Sequence, residues 1–444
     1  MIYKEAEQFL YSLCNLPRQE YLTDQSQCKI YLKRLQFFLD ILGNPEIKIP
    51  HYIHVTGTSG KGSVCHFLHS ILVAANKHVG LTISPHPTYL TERWQVGQTQ
   101  MTKKEFCSIV EVCKKALDIY ARLSPYDTIS FFELTTAIGL IYFARKKVDW
   151  AIVEVGCGGR YDATNIIPNK DIAIITTIGL DHTDILGQTK KQIAIEKAGI
   201  ITPNCQVFTT VKTPTLVSIF KKECQKKKAK LTTVKIPTQI PYRVTTSGTD
   251  FVYKGKNFRL RAPGMHQIHN ALLARAVAQA FQIKDNIIQK GLAKTKLPIC
   301  FEIVSTRPLI ILDGAHNVDK MKATVQTMSK IRKLQNIGKL NKIHLILGFS
   351  GNKDIKTMLK LLLILDPDSI ACTRNTIHPF RKVASPALLK QSIDKLNLKI
   401  KTELFLDPKT ALLWSRKQMK RHDIMLITGS LFVSGELRPI LLNY

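Results

Sequence analysis

Short apolar runs alternate along the chain with longer stretches whose apolar residues recur every three or four positions. The runs His51–Thr56, Trp150–Val155, Ile172–Ile178 and Val207–Val211 are β-rich, and helix-length segments lie between them. One helix is explicit. Val64, Phe67, Leu68, Ile71, Leu72 and Ala75 follow the spacing of a single helical face, directly after a Gly-rich turn. After Pro298 the rhythm restarts, with a strand at Leu309–Leu312, a helix at Val318–Lys333 and a strand at Ile343–Leu347. Ile355–Leu365, Ile370–Cys372, Pro386–Leu396, Lys409–Gln418 and Ile424–Ile427 continue it. This alternation predicts the α/β class, with parallel sheets and crossover helices. We place a domain boundary near Leu297–Cys300, giving domains 1–298 and 299–444.

Composition sharpens the picture. At 444 residues and 45% hydrophobic content the chain fills two cores and is not disordered. Charge is the outlier: 64 Lys+Arg against 33 Asp+Glu leave +31. Of this, +13 falls in residues 301–444 and +18 in residues 1–300, so no basic tail carries it. Such a balance suits anionic partners, although a lysine-rich solvated surface explains it equally simply. The densest run, Lys221 to Lys230, has no interleaved aromatics and is no base-stacking platform, so nucleic acid is not an expected partner. No apolar stretch reaches the ~18 residues of a membrane span. The first residues, Met1 to Glu7, lack a secretory leader's basic start and apolar middle. Ten scattered cysteines without a Cys-x-x-Cys pair indicate neither a zinc site nor a disulfide framework. A cytoplasmic monomer is expected.

Three motifs carry chemistry. Gly57-Thr58-Ser59-Gly60-Lys61-Gly62-Ser63 sits between an apolar strand and an amphipathic helix, as a phosphate-binding loop does. Its glycines let backbone amides converge on phosphate oxygens, the helix N-terminus adds favourable dipole, and Lys61 adds charge. It departs from the strict Walker pattern at Val55, where glycine is usual. A plain strand–turn–helix corner seldom needs three glycines around a lysine. Glu154 ends an apolar strand before Gly156-Cys157-Gly158-Gly159-Arg160. A carboxylate there is costly unless paired or metal-bound, and beside a phosphate loop we read it as a Mg²⁺ ligand. Gly179-Leu180-Asp181-His182 ends the next strand in the same way, where α/β sheets place ligands.

With Ser84-Pro85-His86, Glu154 to Asn165, Glu196-Lys197-Ala198-Gly199-Ile200, His266 to Ala271, Leu312 to Asn317 and Thr428-Gly429-Ser430, these motifs form an ordered set. The set resembles the folylpolyglutamate synthase/dihydrofolate synthase family, a branch of the Mur ligases, over roughly residues 30–436. The resemblance implies a P-loop Mur-ligase central domain with a parallel sheet and a smaller Rossmann-like C-terminal glutamate-ligase domain. It implies an ATP-dependent amide ligase that adds L-glutamate to dihydropteroate, to tetrahydrofolate or another folate, or to both, through an acyl phosphate. By the same resemblance Gly57, Thr58, Ser59, Gly60, Lys61, Gly62 and Ser63 cradle the phosphates of ATP. Ser84 and Glu154 hold one Mg²⁺, and His182 ligates a second. Lys197 is carbamylated, because a bare ammonium has no lone pair for a metal. Asn270, Asp313 and His316 complete the nucleotide site as the domains close, and Ser430 lies near the incoming glutamate. Lys61, His182, Lys197, Asp313 and His316 are thus the implied catalytic set.

The chain departs from the family at Ile299-Cys300-Phe301-Glu302, where Gly-Arg-x-Glu is usual. Arg307 is the nearby candidate to replace the missing cation. Ser59 stands for the usual Asn and Cys157 for the usual Leu, and Pro87-Thr88-Tyr89 also diverges. Three alternatives stay open: a cell-wall ligase of the same superfamily, a catalytically weakened nucleotide-binding homologue, and a nucleic-acid-binding protein exploiting the charge. With only about 50 residues before the phosphate loop, the extra N-terminal domain usual in cell-wall ligases has little room.

Overall fold

The structure, a computed structural model, describes residues 1–15, 28–334, 341–351, 353–377, 383–396 and 400–443. These fall into two compact units, Met1–Pro237 with Asn270–Leu292, and Thr238–His269 with Ala293–Tyr444. The chain crosses between units three times, and the helix Met265–Ala280 contributes to both. The linear boundary at 298/299 stays a proposal, and the last crossing, Leu292 to Ala293, lies just before it.

The first unit is built on eight strands: β1 (His51–Thr56), β2 (Val79–Thr82), β3 (Trp94–Val96), β4 (Thr99–Gln100), β5 (Trp150–Glu154), β6 (Ile172–Ile175), β7 (Gln206–Thr209) and β8 (Lys230–Thr233). Their order is β4-β3-β2-β5-β1-β6-β7-β8. From β2 to β8 the pairings are parallel, and β3 and β4 extend the sheet antiparallel. β6 is buried at every position and β1 at all but His51, which is the mark of strands covered on both faces. Helices start where the sequence offers caps: Thr102 with Glu105, Ser130 with Glu133, and Thr189 with Gln192 each form a capping box. β1 lies between β5 and β6, so the loops leaving all three strands meet at one end of the sheet.

The second unit holds a six-stranded sheet and a three-stranded one. The larger contains β12 (Glu302–Thr306), β13 (Leu309–Leu312), β14 (Ile343–Leu347), β15 (Ser369–Cys372), β16 (Lys401–Leu404) and β17 (Ile424–Thr428), in the order β12-β13-β17-β14-β15-β16. Only β12 runs antiparallel. Leu309 and Ile311 pack into one core and Ile310 and Leu312 into another, so both faces are covered. The smaller sheet, β9 (Tyr242–Thr245), β10 (Gly248–Tyr253) and β11 (Lys256–Leu260), is wholly antiparallel. Lys254 and Gly255, both at positive φ, turn β10 into β11. Among the described residues no helix is long and apolar enough to cross a membrane.

Candidate active site

The loop Gly57–Gly60 leaves β1 and is strapped to the end of β6. Thr58 N–H donates to Thr177 O (2.8 Å) and Ser59 N–H to Thr177 Oγ1 (3.0 Å). Ser59 O accepts from Thr176 Oγ1 (2.7 Å) and Thr177 Oγ1 (3.1 Å). Gly57 takes φ +148°, and a Cβ there would lie 1.8 Å from Thr176 Oγ1. Gly60 takes φ +85°, and a Cβ there would lie 2.4 Å from Asn270 Oδ1, so Asn270 is seated against the loop. The helix Lys61–Ala74 then begins, its first bond running from Val64 N–H to Gly60 O (2.9 Å). The amides of Lys61, Gly62 and Ser63 therefore lack intrahelical acceptors and carry the positive end of the helix dipole. Lys61 Nζ folds back to Gly57 O (3.2 Å). The result is a concave backbone surface with a lysine over it, suited to an oligophosphate.

Glu154, at the end of β5, is buried and borders this surface, 3.5 Å from where a Cβ on Gly62 would be. Its Oε2 accepts from Ser84 N–H (3.0 Å), while Ser84 Oγ is buried with no hydrogen-bond partner among the described residues. An orphaned hydroxyl beside a buried carboxylate fits an oxygen-liganded cation such as Mg²⁺. No group of three or more His, Cys, Asp or Glu gathers as a metal cage among the described residues.

Gly179 is held by Thr58, whose Oγ1 accepts from Gly179 N–H (3.0 Å). His182 follows at φ +50°, capping the one-turn helix Thr183–Leu186, and Asp181 Oδ1 accepts from its N–H (3.1 Å). Lys197 is no solvated helix lysine. It is 4% exposed, and burial, reinforced by the charge of Lys61, pushes its ammonium down to about 7. Cys157, Asp181 and Asp162 pull the other way and are outweighed. Burial thus favours the free amine of Lys197, the form that reacts with CO₂. Gly57–Ser63, Ser84, Glu154 and Asn270 thus converge in the first unit, with His182 and Lys197 on its neighbouring loop and helix.

In the second unit Asp313 follows β13 and is buried. Its carboxylate accepts from Phe301 N–H (2.9 Å), Ala315 N–H (3.0 Å), Thr324 Oγ1 (2.7 Å) and Thr428 Oγ1 (3.3 Å). Asp313 therefore organises its own loop, a role its sequence motif did not announce. His316 is fixed by Nδ1–H donating to Gly314 O (2.8 Å), which turns Nε2 toward Lys320 Nζ (3.4 Å). Ser430 caps the helix Leu431–Leu442, accepting from the amides of Phe432 and Val433. One expectation is corrected. Arg307 sits in the turn between β12 and β13, where Thr306 pairs Leu309, whereas Glu302 pairs Leu312 at the Cys300 end of the hairpin. Arg307 is thus at the wrong end to replace a cation at position 300.

The Mur ligase middle domain matches residues 55–278, and the Mur ligase glutamate ligase domain matches residues 301–431. The dihydrofolate synthase/folylpolyglutamate synthase of Bacillus subtilis is 30% identical over 422 residues, covering 92% of this chain and 94% of the relative. The chain belongs to the dihydrofolate synthase/folylpolyglutamate synthase family of Mur ligases. The relative of the same name from Buchnera aphidicola is also 30% identical, over 94% of this chain and 96% of its own. Among solved structures, Mycobacterium tuberculosis folylpolyglutamate synthase complexed with ADP and AMPPCP matches with TM-score 0.81 and 27% identity, covering 92% and 95% of the chains. Escherichia coli FolC in complex with DHPP and ADP matches with TM-score 0.75 and 29% identity, covering 92% of each.

Against this Mur ligase background the departure at 299–302 gains a physical meaning. Ile299 and Phe301 take φ +55° and +54°, a region that favours glycine and is unusual for a β-branched residue. Three hydrogen bonds hold this backbone: Ile299 N–H to Glu302 Oε2 (2.9 Å), Gly314 N–H to Ile299 O (2.8 Å) and Phe301 N–H to Asp313. Glu302 is in turn gripped by Arg438 through two bonds of 2.7 and 2.9 Å. The conformation persists without the glycine, while the side chain at 300 is a thiol. Sequence reasoning missed Thr176, Thr177, Thr324 and Arg438. Their signal is spatial, because each meets its partner 11 to 136 residues away in the chain.

Proposed function

We propose that this chain is an ATP-dependent ligase that joins the amino group of L-glutamate to a carboxylate of dihydropteroate or of a folate. The observation that carries the reading is the juxtaposition of Glu154, Ser84 and the Gly57–Ser63 loop at the end of β1. A carboxylate is a poor electrophile, because its charge opposes attack and oxide leaves badly. Transfer of the γ-phosphoryl group of ATP to it cures both faults. The amine of glutamate then attacks the acyl phosphate, and inorganic phosphate leaves. In this reading the amides of the Lys61–Ala74 helix start and Lys61 hold the phosphates and offset charge that grows in transfer. Asn270 orients the nucleotide, and within the second unit Asp313 shapes the loop that carries His316, to which we assign a nucleotide-binding role. We assign Ser84 and Glu154 to one Mg²⁺ and His182 with Lys197 to a second, ions that would neutralise the triphosphate. For Lys197 the assignment requires its neutral amine to add CO₂, giving a carbamate and releasing one proton.

We read it as a cytoplasmic enzyme. We take it to act as a monomer. The test is ADP release with ATP and Mg²⁺, omitting each co-substrate in turn. Release that requires both glutamate and dihydropteroate, or both glutamate and tetrahydrofolate, is the expected result. Turnover only with a sugar-nucleotide peptide, or tight salt-sensitive nucleic-acid binding without turnover, would select the alternatives.

A further inference from the structure

The first unit holds a second buried lysine. Lys170, just before β6, is 4% exposed. Its Nζ donates to Asn165 Oδ1 at 2.7 Å, the one hydrogen-bond partner it has among the described residues. That bond fixes which way the Asn165 amide points. Its Nδ2 faces two carbonyls, Arg160 O (2.9 Å) and Gly199 O (3.2 Å). Turned over, the amide would set its oxygen against both carbonyls and its NH₂ against the lysine.

These two carbonyls belong to the parts that must stay in register around Lys197. Gly199 ends the helix Lys190–Ala198 two residues after Lys197. Arg160 follows Gly159, which packs directly on that helix: a Cβ on Gly159 would lie 2.9 Å from Glu196 O and 3.2 Å from Lys197 Cα. Arg160 N–H also donates to Glu196 O (2.9 Å). The same loop is braced from its other side, where Asp162 accepts from Cys157 N–H (2.8 Å) and Thr164 N–H (3.0 Å) and Thr164 Oγ1 meets His54 Nε2 (2.8 Å). A shift of the loop is therefore transmitted to the Lys197 backbone through van der Waals contact.

We infer that Lys170 and Asn165 are positioning residues, a clamp that locks the Gly156–Asn165 loop to the end of the helix that presents Lys197. A lysine left inside the protein without a carboxylate partner is costly, and burial pushes its ammonium down to about 7. The inference rests on the ligase reading for its kinetic readout alone, because the clamp itself is visible to backbone hydrogen exchange.

The test compares full-length wild type with Lys170→Met, which keeps the shape and removes the donor, and Lys170→Gln, which restores an N–H donor. Asn165→Asp attacks the clamp from the other side and serves if Lys170→Met does not fold. The clamp predicts that kcat falls about 10- to 100-fold in Lys170→Met, with part recovered in Lys170→Gln. The KM for the acceptor stays within about twofold, because substrate contacts are untouched. The Mg²⁺ concentration for half-maximal rate rises, and exchange quickens at the amides of Arg160 and Ile200. Wild-type kcat and exchange in both Lys170→Met and Asn165→Asp overturn the inference. So does a loss of activity that only matches a loss of folded protein. Faster exchange in the variants of a protein whose wild type shows no acceptor-dependent turnover supports the clamp and refutes the ligase reading.

Discussion

Single residues act here mainly through what surrounds them. Lys61 is folded onto Gly57 O over three amides that lack helical acceptors, so its charge is already aimed. Lys61→Ala is predicted to lower kcat/KM by about 100- to 1,000-fold with little change in thermal stability, measured by coupled ADP release and melting. Lys197→Ala is predicted to abolish Mg²⁺-dependent turnover, and added acetate or formate to restore a small part by standing in for the carbamate. Unchanged turnover in Lys197→Ala would remove the residue from the site. Lys170 gives a pH signature of stability. Unfolded, its amine keeps its proton up to the ordinary value of 10.5, whereas folded it loses it near 7. Between those values the unfolded state binds more protons, so this group makes stability rise with pH, and below about 7 its contribution no longer changes. Denaturant melts at pH 7 and 9 are predicted to show a smaller gain in Lys170→Met than in wild type.

At the scale of elements, the first unit depends on ties between segments distant in sequence. Arg34, 1% exposed on the helix Lys29–Ile41, donates to both carboxylate oxygens of Glu133 (3.0 and 2.8 Å) and to Asp127. Arg34→Leu leaves Glu133 buried without its cation and is predicted to destabilise the protein by about 3–5 kcal/mol, read by chemical denaturation. The elements that sequence pattern identified are those with a strong period. β1, β5, β13, β14 and β17 match their apolar runs to within a residue, because strands covered on both faces must be continuously apolar. β6 ends at Ile175 rather than Ile178, and beyond it the side chains of Thr176 and Thr177 hold Ser59. The three-stranded sheet β9–β11 was not legible. Its strands are short and half exposed, with Arg243, Asp250 and Arg259 facing water between Val244, Phe251 and Phe258. Only the positive-φ turn at Lys254-Gly255 announces it. Likewise the phosphate loop could be read from its glycines, whereas the threonines that strap it could not, since no local spacing links residue 59 to residue 176.

At the scale of the molecule, the +31 charge is spread over a fold whose relatives handle nucleotides and folates. ATP, glutamate and polyglutamate tails are anions, and a basic surface raises their encounter rate without dictating the chemistry. The central claim is narrower than the charge. It holds that an acceptor carboxylate receives the γ-phosphoryl group before glutamate attacks. Oxygen-18 in that carboxylate tests it directly. If the carboxylate is phosphorylated, the amide retains one labelled oxygen and the other leaves with inorganic phosphate. One labelled oxygen in each phosphate released, with labelled phosphate formed about 100- to 1,000-fold more slowly by the Lys61→Ala protein, is the predicted result. Amide formed with ADP release but with unlabelled phosphate would contradict the account.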